Sequence, residues 1–220
     1  MNTELARFNM IEQQIRPWEV LDPGVLSLLS SVRREDFVPG NHRAMAFVDT
    51  TVPIGGGQCM LEPKVEARLL QELQLKRHEK VLEIGAGSGF MAALLAHRAM
   101  QVYTLECRPA LAALARENLR MAGIVNAIVV ETTAALGALG LPAEGPFDAI
   151  VLSGSVAAVP RALLEQLKPG GRLVAIVGHA PVMRACLYTR AGDSAWAESE
   201  LFDTVAPRLE GFAEPPRFQF

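Results

Sequence analysis

Glu83, Gly85, Gly87 and Gly89 stand together in "VLEIGAGSGF", and Glu106 closes the next apolar run, "VYTLE", about 20 residues further on. This spacing suits recognition of a nucleoside. Spaced glycines at the end of a buried strand permit a tight turn, let a ligand approach the backbone and let the following helix start close to the sheet. An acidic side chain ending the second strand can then accept both ribose hydroxyls. Upstream lies "PIGGGQCMLEP", residues 53–63, in which three consecutive glycines precede Gln58, Cys59, Met60 and Leu61. A glycine triplet lets backbone come close to a neighbour. The stretch is therefore a second candidate for chemistry, as a phosphate cradle, a substrate loop or a flexible joint.

Two cofactor classes use the first geometry. A dinucleotide site has its third glycine one position later and offers helix amides to a pyrophosphate. Here the order is G-x-G-x-G, preceded by Glu83, whose carboxylate repels a pyrophosphate and attracts an ammonium. S-adenosylmethionine carries a ribose and an ammonium but no phosphate. The expectation is an S-adenosylmethionine site built from Glu83, Gly85, Ala86, Gly87, Gly89 and Glu106, with a dinucleotide site and a ligand-free turn as the alternatives.

The elements that must hold these residues follow from patterning. "VLEI", "VYTLE", "AIVV", "FDAIVLS" and "RLVAIVG" are short apolar runs suited to strands buried on both faces. Helical stretches over Phe90–Arg98, Pro109–Met121 and around Ala162–Leu167 separate several of them, which predicts right-handed crossovers and a parallel, doubly wound α/β sheet. "RACLYTR" and "WAESELFDTV", either side of Gly192-Asp193, predict an antiparallel hairpin on the sheet edge. Near the start, Leu5, Phe8, Ile11 and Ile15 predict a helix that ends at Pro17. Asp22-Pro23 opens a second helix, and Pro63 opens a third with Val65, Leu69, Leu70 and Leu73 inward. Arg33, Arg34, Glu35 and Asp36 read as a solvated face of mixed charge. The expected division is 1–78 for the N-terminal helices and loop and 79–220 for the cofactor domain.

Composition narrows the function classes. The chain has 220 residues, is 50% hydrophobic and carries a formal charge of −3. That describes a folded chain and argues against a dedicated nucleic-acid or polybasic membrane surface. No apolar run reaches the length of a membrane span, and the first residues lack a signal-peptide core. Cys59, Cys107 and Cys186 are odd in number and far apart, as expected for reduced thiols of a cytoplasmic protein. His42, His78, His97 and His179 show no ligand-like spacing, so no metal is expected.

Taken in order, "MIEQQIRPWEVLDPGVLSLLSSVRREDFVP", "VPIGGGQ", "VLEIGAGSGF", "VYTLE" and "PFDAIVLSGSVAAVPRALLEQLKPGGRLVAIVG" resemble the protein-L-isoaspartate (D-aspartate) O-methyltransferases. The resemblance implies a class I, Rossmann-like methyltransferase: a mostly parallel seven-stranded sheet with an antiparallel edge hairpin and an N-terminal helical extension. It also implies methyl transfer from S-adenosylmethionine to the free α-carboxylate of isoaspartyl residues in damaged proteins, with no nucleic-acid or membrane partner. A carboxylate, with a reference pKa of about 3.5 to 4, is already ionised at neutral pH and needs no general base. Catalysis then rests on positioning and hydrogen bonding. Carried over residue by residue, Gly85, Gly87 and Gly89 form the cofactor turn and Glu106 binds the ribose. Glu83 lies near the methionine end, and Gln58 sits in the loop over the reacting groups.

The loop departs from the family past its Gln, where Thr-Ile-Ser-Gln-Pro is usual and this chain has Cys59-Met60-Leu61-Glu62-Pro63. Gln58, Cys59 and Leu61 are thus the candidate catalytic positions, with the family's serine falling on Leu61 and its threonine on Cys59. Glu62 replaces a neutral amide and is expected to repel an anionic substrate. On the adenine side the family's Gly-Asp-Gly falls on Glu131-Thr132-Thr133, which leaves Thr132 to accept from the adenine amino group. Two readings follow: an isoaspartyl methyltransferase in which other loop groups replace the serine, or a paralogue that acts on a less charged substrate or only binds.

Overall fold

The computed structural model describes residues 2–214; Met1 and residues 215–220, the outer ends of the two expected segments, lie outside the described residues. Asn2 caps α1 (Thr3–Met10) by accepting from the Leu5 amide. The helix widens into a π turn over Ile11–Ile15, tightens over Arg16–Trp18 and stops where Glu19 adopts a left-handed φ of 60°. Its inward face is not the expected one. Arg7, Met10, Ile11 and Ile15 are buried, whereas Leu5 and Phe8 are exposed. The π turn interrupts the 3.6-residue repeat, so the stripe that carries Ile11 and Ile15 does not continue back to Leu5 and Phe8.

Asp22 caps α2 (Pro23–Ser31), accepting from the Val25 amide at 2.9 Å. A small hairpin follows, β1 (Val52–Gly55) and β2 (Gln58–Met60), and leads into α3 (Pro63–Leu73). Gly55, Gly56 and Gly57 turn this hairpin with φ of 96°, 60° and 76°, a region that side chains disfavour.

The alternating part contains β3 (Lys80–Ile84), α4 (Phe90–Arg98), β4 (Gln101–Glu106), α5 (Pro109–Met121), β5 (Ala127–Glu131), α6 (Ala134–Gly137), β6 (Phe147–Val156), α7 (Arg161–Leu164), β7 (Leu167–His179), β8 (Val182–Arg190) and β9 (Trp196–Thr204). The seven strands order as β5-β4-β3-β6-β7-β8-β9. Pairing is parallel from β5 to β7 and antiparallel from β7 to β9, which is the expected sheet with its edge hairpin. The helix expected around Ala162–Leu167 stops at Leu164, and Leu167 already pairs with Phe147. Pro169-Gly170-Gly171 lies at a register shift inside the β6–β7 pairing.

Alternation along β3 sends Val81 to one face of the sheet and Leu82 and Ile84 to the other. The first face packs against α2, α3 and α4 in one apolar cluster, and the second packs against Leu163, Phe147 and Tyr188. The chain runs from β3 outward through β4 and β5, then returns to β6 on the opposite side of β3. This reversal leaves a crevice beyond the carboxyl ends of β3 and β6.

Arg34 and Glu35 do not lie on a solvated face; they are 1% and 3% exposed. Burial of a charge requires a partner, and both have one: Arg34 pairs with Glu66 on α3, and Glu35 with Arg7 on α1. Arg33 and Asp36 stay in solvent. No helix among the described residues is long and apolar enough to cross a membrane, and none of their His, Cys, Asp and Glu side chains group in threes suited to a metal ion.

Candidate functional site

The turn after β3 hangs from its neighbour: the Gly85 and Ala86 amides both donate to the Leu105 carbonyl, at 2.9 and 3.0 Å. Gly85, Gly87 and Gly89 all have positive φ, of 95°, 52° and 85°. A Cβ on Gly89 would stand 3.2 Å from the Ala115 carbonyl, so this glycine sets α4 against α5. Gly85 and Gly87 line the crevice, and Gly89 does not.

Glu106 ends β4 with its carboxylate turned back onto the turn. Oε2 accepts from the Gly87 amide at 2.9 Å, and Oε1 from the amides of Cys107 and Arg108 at 3.0 and 3.1 Å. A carboxylate offers about four acceptor sites, so Oε2 retains room for one more donor. The side chain faces a cleft of about 580 Å³, whose wall also includes Gln58, Cys59, Gly85, Gly87, Thr132 and Ser153. Thr132 reaches this wall because its amide donates to the Glu106 carbonyl at 2.9 Å.

A recess of about 280 Å³ adjoins the cleft, bordered by Glu83, Glu66, Leu61, Ala86 and Ser88; Ile54, Cys59, Gly85, Gly87 and Ser153 border both spaces. Glu83 is fully buried. Its carboxyl accepts from Ser153 Oγ at 2.6 Å and from Thr104 Oγ1 at 2.7 Å. Burial pushes the group up to about 8 against those two hydrogen bonds, and the charges of Glu66 and Glu106 add to the rise. Glu66 is likewise driven up to about 7 by burial, with Arg34 opposing.

Most of the expected residues come together here, with three differences. Leu61 is 4% exposed and belongs to the apolar core, while its carbonyl accepts from Arg34 Nη2 at 2.7 Å. Its side chain borders the recess from within that packing. Cys59 borders both spaces, but burial raises its thiol above the usual range, so it stays protonated. Glu62 borders neither space; it precedes α3 and pairs with Lys64 at 3.3 Å, so its charge is directed away from the crevice.

The sequence reading missed Arg34, Glu66, Ser153, Arg108 and Glu210. Glu66 had a signal: it shares the α3 stripe with Leu69, Leu70 and Leu73, where an acid is out of place. Ser153 had a weaker one, as the polar end of an apolar strand. Arg108 and Glu210 had none.

A family model described as protein-L-isoaspartate(D-aspartate) O-methyltransferase matches residues 6–204. A protein-L-isoaspartate O-methyltransferase of Methanoculleus marisnigri is 42% identical over 172 residues, covering 78% of this chain and 77% of the relative. One of Methylorubrum populi is 38% identical over 211 residues, covering 95% of this chain and 97% of the relative. Among solved structures, a Plasmodium falciparum protein described as a protein-L-isoaspartate O-methyltransferase in complex with S-adenosyl-L-homocysteine superposes with a TM-score of 0.79. It covers 96% of this chain and 99% of its own, at 20% identity, and so speaks for the fold alone.

Proposed function

The chain belongs to the protein-L-isoaspartate(D-aspartate) O-methyltransferase family, and from that premise we propose that it methylates the free α-carboxylate of isoaspartyl residues in damaged proteins. The observation that carries the reading is convergence. Gln58 from the β1–β2 hairpin, the Gly85–Gly87 turn and Glu106 from β4 meet on one cleft where the strand order reverses. S-adenosylmethionine, when bound, supplies the electrophilic methyl group. The turn fits that cofactor: the backbone at Gly85 and Gly87 is open to the cleft, Glu106 keeps an acceptor site for a ribose hydroxyl, and Thr132 offers one to an adenine amino group. Glu83 stands at the adjoining recess beside Glu66, where a cationic group would find two buried acids.

The acceptor carboxylate arrives ionised, so the protein has no proton to remove from it. What remains is to hold one carboxylate oxygen in line and to exclude water. The Gln58 amide is the loop group placed to orient it. Leu61 needs no change of substrate to explain it, because its packing accounts for an apolar residue at that position. The three cysteines are free, which supports a reducing, cytoplasmic setting.

The test is methyl ester formation on an isoaspartyl peptide, with the same peptide carrying ordinary aspartate as control. Binding of S-adenosylhomocysteine without ester formation would defeat the substrate assignment; absence of that binding would defeat the cofactor as well.

Leu61→Ser separates packing from chemistry. Removing buried apolar volume and adding a hydroxyl is expected to cost about 2–4 kcal/mol of stability, read as a lower melting temperature. A hydroxyl bonded to the acceptor carboxylate is expected to raise initial methyl transfer per folded molecule roughly tenfold. An unchanged rate would show that position 61 acts through packing alone.

A further inference from the structure

At the mouth of the cleft two distant parts of the chain converge on the carboxylate of a third. Glu210, after β9, accepts from Arg108 Nε at 3.0 Å, from Arg108 Nη2, and from Gln58 Nε2 at 3.3 Å. The Cys107 thiol lies 3.8 Å from its other oxygen. The Arg108 guanidinium also donates to the Gly56 carbonyl, and any Cβ on Gly56 would stand 2.6 Å from Arg108 Nη1. The bare glycine loop is thus what lets this guanidinium lie against the backbone. Gln58, Cys107, Arg108 and Glu210 all border the same cleft as Gly85, Gly87 and Glu106.

The arrangement is a receptor for a carboxylate: a guanidinium and an amide, with a thiol nearby, converging from separate elements. Its present occupant belongs to the chain itself. The other cation on the cleft wall, Arg208, is engaged elsewhere, by Glu214 at 2.7 Å and by the Gly178 carbonyl at 2.9 Å. The acid nearest the turn, Glu106, is held by three backbone amides. Arg108 and Glu210 remain 32% and 41% exposed. An ion pair this wet is held weakly and exchanges readily with a competing carboxylate.

Building on the proposed function, we propose that Arg108, together with Gln58, receives the carboxylate of the isoaspartyl acceptor, and that Glu210 is an internal carboxylate that occupies this receptor until substrate displaces it. Arg108 is then a specificity-determining residue. It supplies the charge complement that the loop lacks with Leu61 and Cys59 in place of hydroxyls. Binding to one carboxylate oxygen leaves the other free to react. Glu210 keeps the receptor satisfied between turnovers, and as a tethered competitor it raises the concentration of acceptor needed to fill the site.

Calorimetric titration of an isoaspartyl peptide and of its α-carboxamide counterpart tests this, with and without S-adenosylhomocysteine. The intact protein should prefer the carboxylate, and Arg108→Gln should weaken that peptide about tenfold or more while leaving the carboxamide and S-adenosylhomocysteine unchanged. Glu210→Gln should tighten the carboxylate peptide about two- to fivefold and leave the carboxamide alone. Both changes are at the surface, and melting curves establish that the variants fold. The proposal is overturned if the intact protein and Glu210→Gln show no carboxylate preference. It is equally overturned if Arg108→Gln loses S-adenosylhomocysteine and keeps the preference, which would make the cluster a latch on the cofactor. A carboxylate preference without methyl ester formation leaves the receptor standing and defeats the proposed activity alone.

Discussion

Glu83→Gln is expected to abolish a proton release that accompanies cofactor binding and to weaken that binding at least tenfold. Glu83 has no contact with water, and its carboxyl sits between the Ser153 and Thr104 hydroxyls. Burial holds it protonated near neutral pH, with its titration at about 8. If the methionine ammonium of the cofactor meets this acid, as we propose, the ionised form becomes favoured and the proton leaves. Calorimetry in buffers of different ionisation enthalpy should then report release of about one proton per site near neutral pH, falling toward zero well above the titration point. Affinity should rise with pH until about 8, then level off. The same shift bears on stability without ligand. A carboxyl raised from 4.5 in the unfolded chain to about 8 in the fold binds its proton more tightly when folded. Its stabilising contribution is complete below pH 4.5 and is lost as pH rises to about 8. The Gln variant removes this dependence along with the proton release. A variant that still releases the proton would assign the effect to Glu66 and sink the role given to Glu83.

What could be read from the sequence was what short stretches encode. The strand at Val81–Ile84 and its turn at Gly85–Gly89 are local patterns, and the parallel pairing followed from the alternation of strands with helices, whereas the strand order is known only from the fold. The glycine triplet also announced itself, since Gly55, Gly56 and Gly57 all need positive φ. Side-chain partnerships between distant segments left no such trace. "RRED" looks the same whether its charges face water or protein, and only Glu66 on α3 and Arg7 on α1 make burial of Arg34 and Glu35 possible. Leu61 shows the same gap from the other side. The missing hydroxyl was visible, but an apolar residue there fits a changed substrate and simple packing equally well, and only the fold puts the leucine in the core. The Arg108–Glu210 pair joins the end of β4 to the segment after β9, a meeting that only the closed fold creates.

Arg34→Met is expected to destabilise the protein by about 3–5 kcal/mol, because it strands a buried acid. Arg34 is 1% exposed; its guanidinium pairs with Glu66, donates to the Leu61 carbonyl at 2.7 Å and lies 4.8 Å from the centre of the Phe90 ring. Without it, Glu66 has no counter-charge and the Leu61 carbonyl loses its donor. For a chain of this size that energy lowers the melting temperature by roughly 10 °C. The loss should depend on pH. Burial already holds Glu66 at about 7 with Arg34 present, and removing the guanidinium raises it further. The variant can then relieve its buried charge by taking up a proton, so its deficit relative to the intact protein should shrink in acid and grow as pH rises. The double variant Arg34→Met with Glu66→Leu should recover most of the melting temperature, since an apolar pair of similar volume replaces a buried ion pair at little cost. It should not recover methyl transfer. The Leu61 carbonyl stays without its donor, and the segment that carries Gln58 into the cleft loses its tie to the core. A single variant that melts within a degree or two of the intact protein would show that the pair contributes nothing. A double variant that regains full activity would show that the loop is placed by packing alone.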